Sequence, residues 1–388
     1  MGHVRFLTAG ESHGKGLTVI VEGIPAGLSI DEKYISIQMS RRQRGFGRGG
    51  RMAIEKDLAK IVSGVRHGQT LGSPISMEIK NEDWKNWSDA MDVGVNENPT
   101  KTVTRLRPGH ADLAGSMKYF QDDVRNTLER SSARETAARV AAGAICRRLL
   151  EEFNISFHSH VVSIGGEYSS QASLIDWSKV ESSPVRCSDP EAEARMINAI
   201  AKAKEDGDTL GGIVQVILDN VPIGLGSHVQ WDRRIDGKLA QALMSINAVK
   251  GVAIGDGWDG ANKRGSKVHD VIKKFDKRKK IWARSTNRAG GTEGGMTNGM
   301  PLVVNFALKP ISTLSKPLPS IDLITGEKVQ AHYERSDVCV VPAAGVVGEA
   351  MVGLIVADLF LEKFGGDHVK ETRRNMDGYI ETLGPRGI

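Results

Sequence analysis

The chain has 388 residues, which is long enough for one large domain or two ordinary ones. Its 40% hydrophobic and 26% charged residues are typical of a soluble globular protein, and a net charge of +5 favours anionic partners only weakly. Cys146, Cys187 and Cys339 lie far apart without a CxxC pair, which argues against a disulfide framework and a zinc site. The N-terminus also lacks the apolar core of a signal peptide, so we expect a cytoplasmic protein without a metal.

The most apolar run extends from Val338 to Phe360 and contains Glu349 and Asp358. Two acidic residues within such a run predict a buried helix and not a membrane span. We therefore expect no membrane as a partner.

A short predicted strand, Phe6 to Ala9, leads into the loop Gly10-Glu11-Ser12-His13-Gly14-Lys15-Gly16. Glycines on both sides of His13 allow a tight turn that brings the imidazole close to a ligand. A histidine placed in this way is suited to proton transfer near neutral pH, although a polar turn without a catalytic role is the commoner alternative. A β-branched strand is predicted over residues 17–24.

A predicted helix from Asp31 to Arg42 continues into a loop rich in arginine and glycine. Three of its glycines match the GxGxxG spacing, namely Gly45, Gly47 and Gly50. We reject a dinucleotide-binding fingerprint, because that motif has to leave a strand and open a helix. The loop instead offers Arg42, Arg48 and Arg51 to phosphate or carboxylate groups, which guanidinium groups bind through two hydrogen bonds. A solvated charge run and a nucleic-acid-binding segment are the alternatives.

A second histidine lies on a glycine turn, in Arg107-Pro108-Gly109-His110-Ala111-Asp112. The Pro-Gly pair forces a turn, and a helix is predicted from about Ala111. Arg107 and His110 thus group a cation with an imidazole on a glycine turn, as Lys15 and His13 do in the first loop. A strand over residues 75–79 precedes this turn, as does a polar segment over residues 83–98 with two tryptophans, whose role the sequence does not indicate.

The stretch from Leu128 to Thr136 contains Ser132 and Glu135 at capping-box spacing, which predicts the start of a helix that ends near Phe153. Its free N–H groups and the positive end of its dipole, together with Arg130 and Arg134, form a candidate anion site. A capped core helix with two solvated arginines is an equally good interpretation of this stretch alone.

The second half of the chain is predicted to contain strands over residues 155–165, 213–221 and 302–308. Helices are predicted over residues 235–247 and from Pro342 to Phe364. A glycine-rich loop over residues 284–299 is a candidate ligand-lining segment, and residues 169–206 are polar and helical and are expected to be peripheral.

Several pieces of sequence recur in the same order. Residues 21–28 (VEGIPAGL) resemble residues 218–225 (LDNVPIGL), and residues 68–75 resemble residues 295–302. Glu129-Arg130-Ser131 likewise resembles Glu334-Arg335-Ser336. We infer one domain, residues 1–388, built from two pseudo-repeats of about 1–165 and 207–366, with a pocket between them that collects both Glu-Arg-Ser elements.

Taken together, the motifs resemble those of the chorismate synthase family and follow the family's order over most of the chain. They are Gly10-Glu11-Ser12-His13-Gly14, the run 42–51, Arg107-Pro108-Gly109-His110-Ala111-Asp112, residues 129–135 (ERSSARE), Ser245-Ile246-Asn247-Ala248, residues 294–299 (GGMTNG) and Glu334-Arg335-Ser336-Asp337.

The resemblance implies an α+β fold, a β-α-β sandwich with internal duplication in which antiparallel sheets pack around central long helices. It implies the anti-1,4-elimination of phosphate from 5-enolpyruvylshikimate 3-phosphate to give chorismate, the last common step of the shikimate pathway to aromatic amino acids. The family requires reduced FMN although the reaction has no net redox change, and it usually forms homotetramers. The partners expected on this basis are the small anionic substrate and further copies of the chain, and not nucleic acid.

The resemblance also implies roles for individual residues. His13 would protonate the leaving phosphate, His110 would neutralise the anionic reduced flavin, and Asp337 would help to remove the ring proton. The substrate carries one phosphate and two carboxylates, and the candidates to bind them are Arg42, Arg48, Arg51, Arg107 and Arg134. Flavin contacts are expected from Arg130, Ser131, Ser132, Asn247, Ala248, Gly294, Lys309, Pro310, Ile311, Ser312, Thr313 and Arg335.

Two other classes of protein share part of this pattern. An NAD(P)H-dependent flavin oxidoreductase would use FMN and the arginines but would consume reductant in proportion to product. A basic nucleic-acid-binding protein would bind polyanions in a salt-sensitive way and would not bind flavin tightly. The order of the motifs argues against both. Some members of the family reduce FMN with NADPH, and the sequence leaves open whether this chain does so.

Overall fold

The computed structural model describes residues 3–49, 56–170, 175–278 and 280–386. Its strands are β1 (Arg5–Ala9), β2 (Gly16–Glu22), β3 (Ala59–Ile61), β4 (Val65–Arg66), β5 (Gln69–Thr70), β6 (Ile75–Lys80), β7 (Ser156–Ile164), β8 (Glu167–Tyr168), β9 (Gly212–Asp219), β10 (Val249–Ile254), β11 (Ile272–Asp276), β12 (Ile281–Arg284), β13 (Thr292–Glu293), β14 (Met296–Thr297), β15 (Leu302–Leu308), β16 (Pro319–Ile321) and β17 (Lys328–Gln330). Its α-helices are α1 (Glu32–Gln43), α2 (Asp112–Tyr119), α3 (Arg125–Ser131), α4 (Thr136–Glu152), α5 (Trp177–Ser182), α6 (Pro190–Asp206), α7 (Ile235–Met244), α8 (Gly257–Ala261), α9 (Val341–Phe364) and α10 (Val369–Glu381).

Two antiparallel sheets form the outer layers. The first has the strand order β1-β2-β6-β3 and the second the order β10-β15-β9-β7-β8. Side chains alternate between the faces of a strand, and Leu17, Val19 and Val21 of β2 are accordingly buried while the residues between them are more exposed. Each sheet therefore turns one apolar face toward the helices.

Helices α4 and α9 lie between the sheets and pack against each other. The first sheet packs on α4 through β1, β2 and β6, whereas β7 and β9 pack on α9. A Cβ atom added at Gly143 of α4 would collide with Ala350 of α9, so the close crossing of the two helices requires a glycine at this position. This layering confirms the predicted α+β sandwich of antiparallel sheets around central long helices.

Helix α9 is long and apolar enough to cross a membrane, with a mean hydropathy of 1.9 over its most apolar window, but 94% of that window is buried inside the protein. Its buried Glu349 binds Arg41 at 2.6 Å and also pairs with Arg147. Asp358 accepts a hydrogen bond from the N–H of Val4 at 3.0 Å. The prediction of a buried helix is confirmed.

The capping box predicted at Ser132 and Glu135 is wrong. The Ser132 hydroxyl accepts from the N–H of Arg134, and a 3-10 turn over Ala133–Glu135 precedes α4. The Glu135 carboxylate instead accepts hydrogen bonds from Thr8 Oγ1 and Arg139 Nε, each at 2.7 Å. Neighbouring β1 and the next turn of α4 thus supply the donors for this carboxylate.

Two threonines in the two halves of the chain make matching hydrogen bonds. Thr70 Oγ1 donates to the carbonyl of Pro25 at 2.6 Å and accepts from the N–H of Leu28 at 3.0 Å. Thr297 Oγ1 makes both bonds in the second half, where its partners are Pro222 at 2.6 Å and Leu225 at 2.8 Å. These contacts support the duplication that we propose from the sequence.

Candidate active site

The loop that carries His13 is a tight turn between β1 and β2. Gly10 has a φ of +103°, and a Cβ at this position would collide with the carbonyl oxygen of Gly16. Asn81, which follows β6, donates from Nδ2 to the carbonyls of Glu11 at 3.1 Å and Gly14 at 2.7 Å. Glycine geometry and one buried amide therefore fix the position of the loop.

The His13 imidazole rests against a buried carboxylate. Its Nδ1 lies 2.8 Å from Glu129 Oε1, and its backbone N–H donates to Oε2 at 2.8 Å. The Glu129 side chain is 1% exposed and also accepts from Arg125 Nη1 at 3.0 Å. His13, Glu129 and Arg125 thus form a histidine–carboxylate–arginine triad, in which Nδ1 is held and proton transfer falls to Nε2.

His110 is held in the same way. Its Nδ1 lies 2.5 Å from Asp112 Oδ1, and Arg107 donates to both Asp112 oxygens at 2.8 and 2.9 Å. Burial raises the pKa of Asp112, but the hydrogen bonds from His110 and Arg107 outweigh burial and hold that pKa well below its usual range. Arg107 also donates to Thr313 Oγ1 at 3.2 Å. The second triad therefore adjoins one of the predicted flavin contacts.

Four residues expected to contact the flavin form a chain of hydrogen bonds that reaches the His110 turn. Asn247 Nδ2 donates to the carbonyl of Ser131 at 2.9 Å, and the N–H of Lys309 donates to the carbonyl of Ala248 at 2.9 Å. Lys309 Nζ donates to the carbonyl of Gly109, also at 2.9 Å. The structure thus brings this part of the predicted set together beside one predicted catalytic residue.

A surface cavity of about 410 Å³ lies beside Ser131 and Asn247. It is lined by Phe6, Leu7, Thr8, Arg130, Ser131, Glu135, Arg139 and Asn247. Asn247 Oδ1 is buried and has no hydrogen-bond partner within the described part of the chain. A buried acceptor without a donor is costly, and a ligand N–H or O–H would satisfy it. Arg139 pairs with Glu135, which also lines the cavity, and Arg130 leaves the lining with a net positive charge, so the cavity suits an anionic ligand with hydrogen-bond donors.

Of the remaining predicted flavin contacts, Ser312 also lies against Gly109 of the His110 turn, whereas Gly294 and Ser132 lie elsewhere. Gly294 is at the tip of the β13–β14 hairpin beside the start of α7, whereas Asn247 follows the other end of this helix, about 15 Å away by its length. Ser132 Oγ donates to Ser12 Oγ at 3.1 Å, so it lies at the His13 loop. Arg335 is exposed. Pro310, Ile311 and Ser312 connect Lys309 with Thr313, and the Ile311 carbonyl accepts from Thr209.

Three of the predicted substrate arginines share two carboxylates. Arg42 and Arg134 both bind Asp57, and Arg48 binds Asp337 Oδ2 at 3.1 Å. Burial lowers the pKa of Arg42 to about 10, and the charges of Arg48 and Arg134 add to that shift while Asp57 opposes it. An anion would relieve this crowding of positive charge. Arg51 lies outside the described residues.

The structure corrects one expectation about these arginines and contradicts one alternative interpretation. Arg42 belongs to α1 and is buried, with Nε donating to Thr136 Oγ1 at 3.0 Å, so it is not part of a loop. Arg134 is not a solvated arginine, because it is buried and donates to Asn81 Oδ1 at 3.0 Å. Arg130 is exposed and donates to the carbonyls of Thr8 and Gly10.

Sequence reasoning did not identify the partners of His13. Trp87 stacks on the imidazole with ring centroids 3.8 Å apart and an interplanar angle of 21°. Trp87 belongs to the polar segment for which the sequence indicated no role. The spacing of Arg125 and Glu129, four residues apart in a helix, was a signal that could have predicted their ion pair.

A sequence profile of the chorismate synthase family matches residues 4–361. The chain belongs to the chorismate synthase family. It is 52% identical to the chorismate synthase of Aquifex aeolicus over 97% of this chain and 98% of that protein. It is 54% identical to the chorismate synthase of Moorella thermoacetica, over 98% and 99% of the two chains. A crystal structure of a chorismate synthase superposes with a TM-score of 0.79 at 44% identity and covers 98% of each chain.

Membership of the chorismate synthase family confirms the resemblance found in the sequence and identifies the chain as an enzyme of aromatic amino acid biosynthesis. This membership decides against the two other classes of protein considered above, the flavin oxidoreductase and the nucleic-acid-binding protein. As in other chorismate synthases, a reduced flavin is expected, and the cavity beside Asn247 has the acceptor and the positive charge to suit one.

Proposed function

We propose that the chain releases phosphate from 5-enolpyruvylshikimate 3-phosphate by anti-1,4-elimination and forms chorismate, with reduced FMN bound and no net redox change. The main observation in support is the position of Asn81, which donates to the Gly14 carbonyl of the His13 loop and accepts from Arg134. A proton donor and a group of arginines are thereby fixed side by side. This is the arrangement that the departure of a phosphate requires.

The arginines bind the substrate anions in this proposal. Arg48 and Arg134 hold two of the three anionic groups, with Arg42 supporting them from the buried side. His13 delivers a proton to the leaving phosphate from Nε2, because Nδ1 is held by Glu129. With this proton the phosphate ester dianion leaves as HPO4²⁻ instead of PO4³⁻, which lowers the charge that develops on the leaving group.

Asp337 is proposed to receive the ring proton. Its Oδ1 accepts from the N–H of Gly49 at 2.5 Å, and its Oδ2 pairs with Arg48. These two contacts orient the carboxylate. Substrate anions that draw Arg48 toward themselves would release one oxygen to accept the ring proton.

Arg130, Ser131, Asn247, Ala248 and the segment 309–313 are proposed to hold reduced FMN, with Gly294 and Arg335 as further predicted contacts. When bound, the reduced flavin supplies electron density that assists cleavage of the C–O bond. His110, fixed by Asp112, would place a positive charge beside the anionic cofactor. The unpaired Asn247 Oδ1 would accept a hydrogen bond from it.

We further propose that the enzyme is a cytoplasmic homotetramer and that NADPH is a candidate reductant for its FMN. Light scattering on the purified enzyme tests the assembly. Anaerobic mixing of NADPH with the FMN-bound enzyme tests the reductant, since bleaching of the flavin would show that the chain reduces its own cofactor.

The proposed reaction is tested by anaerobic assay of phosphate release with reduced FMN, with oxidised FMN and without flavin. We expect many turnovers with reduced FMN alone, with no reductant consumed per phosphate released. Consumption of reductant in proportion to product would identify a flavin oxidoreductase and overturn the proposal. Equal rates in all three conditions would also overturn it.

A further inference from the structure

We propose that Trp87 is a positioning residue for His13 and fixes the direction in which Nε2 points. The inference rests on the proposed function, since His13 is the proposed proton donor. It concerns a residue of the polar segment after β6, which carries no part of the proposed chemistry itself.

Contacts with Asp83, His13 and Lys101 set the position of the Trp87 indole. Its Nε1 donates to Asp83 Oδ2 at 3.0 Å, which ties the indole to its own 3-10 turn over Glu82–Asn86. Its ring lies 3.8 Å from that of His13, nearly parallel to it. Lys101 Nζ lies 3.9 Å from the indole centroid and donates to the carbonyl of Asn86 at 2.6 Å. The tryptophan is therefore held by Asp83 and Lys101 besides the histidine that it covers.

Arg125 closes a ring of contacts around the imidazole. Its guanidinium lies 5.0 Å from the indole centroid of Trp87 and donates to Glu129, which holds His13 Nδ1. Arg125 Nε also donates to the carbonyl of Lys101 at 2.5 Å. His13, Glu129, Arg125 and Trp87 thus form a closed cycle, and the carboxylate and the indole constrain the imidazole together.

The two constraints are complementary. The contact with Glu129 fixes one nitrogen of the ring but allows the ring plane to rock about that hydrogen bond. The stacked indole removes this freedom, because an offset or parallel stack is favourable only over a narrow range of tilt. Nε2 then keeps one direction, which matters because small misplacements of a reacting group are costly in rate.

The charges that surround His13 come from several elements. Glu129 and Arg125 belong to α3, Lys101 to the segment before α2, and Glu334 to the segment before α9. The Glu334 carboxylate is close enough for the charge of His13 to contribute to its low pKa. Since Trp87 covers one face of the ring, its removal would expose this group of charges to water.

The contact is tested first in the flavin-free protein by fluorescence between pH 5 and 9, with Trp87→Phe and His13→Asn variants. A protonated imidazole quenches an indole that it contacts, so we expect a titration in the difference between the parent and Trp87→Phe. Trp177 stacks on His158, but this contribution cancels in the difference. The same difference measured in the His13→Asn background should be flat. A flat difference in the parent, or a titration that survives in His13→Asn, would overturn the inference.

The positioning role is tested by kinetics of Trp87→Leu, Trp87→Phe and the control Trp84→Leu, all with reduced FMN. Trp84 lies in the same turn with Lys15 5.8 Å from its ring centroid. We expect Trp87→Leu to lower kcat by about 10- to 100-fold with KM nearly unchanged and to shift the pH profile of kcat. Trp87→Phe should retain most of the rate, and Trp84→Leu should resemble the parent. Parent-like kinetics of Trp87→Leu, or a rise in KM alone, would overturn the positioning role.

The two tests separate this inference from the proposed reaction. The fluorescence experiment contains neither substrate nor flavin, so its outcome does not depend on which reaction the enzyme catalyses. Conversely, absence of phosphate release from the parent would refute the proposed reaction and leave the contact between Trp87 and His13 as measured.

Discussion

Glu129 and Glu334 bind the same guanidinium group, because Arg125 donates Nη1 to the first and Nη2 to the second, each at 3.0 Å. The two glutamates begin the Glu-Arg-Ser elements that recur in the two halves of the chain. One arginine therefore holds the two elements side by side. It also orients the carboxylate that supports His13, so the connection between the halves and the proposed proton donor share one residue.

Arg125→Ala should destabilise the protein by about 3–5 kcal/mol, because it leaves the buried Glu129 carboxylate without its guanidinium partner. Urea denaturation measures this loss in the free energy of unfolding. The double variant Arg125→Ala/Glu129→Gln should lose less than the sum of its single variants, because the unpaired charge is removed as well. An Arg125→Ala variant as stable as the parent would show that the bridge contributes nothing to folding.

His13→Ala and His110→Ala should both be slow, each by about 10²–10⁴-fold, but for different reasons. His13 lies at the glycine loop, so its removal should slow phosphate release and leave FMN affinity nearly intact. His110 lies beside Lys309, so its removal should also perturb the spectrum and affinity of bound reduced FMN. Flavin titration of both variants separates the roles. The opposite pattern would mean that the two assignments are exchanged.

Arg48→Ala should raise KM by about 10- to 100-fold, which corresponds to the loss of a charge-assisted hydrogen bond of about 1.5–3 kcal/mol. It should also lower kcat, since Arg48 is the partner of Asp337. The exposed Arg44 offers a matched control, and Arg44→Ala should resemble the parent in steady-state assays of phosphate release. If KM and kcat of Arg48→Ala were unchanged, Arg48 would not bind the substrate and its ion pair with Asp337 would have no part in the reaction.

Acid should remove part of the stability that Glu334 provides. Burial raises the pKa of Glu334, but its hydrogen bond with His332 and the charges of Arg125 and His13 outweigh burial and lower the pKa from 4.5 to about 2. A carboxylate with a depressed pKa stabilises the fold above its unfolded pKa, and this contribution disappears as the pH falls from about 4.5 toward 2.

Glu334→Gln should therefore be less stable than the parent at pH 7, and the difference should shrink below pH 4.5. Denaturation series at several pH values check this, with the exposed Glu327→Gln as control. A constant difference at every pH would show that the ionised form of Glu334 carries no special stability.

Helices and strands could be predicted from local patterns in the sequence. Alternation of apolar residues predicted the strand over residues 302–308, and β15 has these bounds. The Asp31 cap predicted the start of α1, where the carboxylate accepts from the N–H of Tyr34 at 2.8 Å. Such signals are local, because side-chain periodicity and capping depend on neighbours within a few residues.

The partners of His13 did not follow from local patterns. The sequence places a cation near each histidine, Lys15 near His13 and Arg107 near His110, and the structure adds a buried carboxylate against each. Glu129 and Trp87 approach His13 from distant parts of the chain, so only the packed fold brings them together. Similarly, Glu349 on apolar α9 meets Arg41 across 308 positions of sequence, a contact that no periodicity indicates.

The most direct test of the account is anaerobic single turnover with reduced FMN, in which flavin absorbance and phosphate are followed together for the parent, His13→Ala and Asp337→Asn. We expect the parent to release phosphate rapidly and His13→Ala to release it about 10²–10⁴-fold more slowly. Asp337→Asn, which keeps its shape but cannot accept a proton, should be slow and show a larger deuterium isotope effect at the ring carbon. Turnover of both variants at the parent rate would contradict the proposed site, even in a chain of this family.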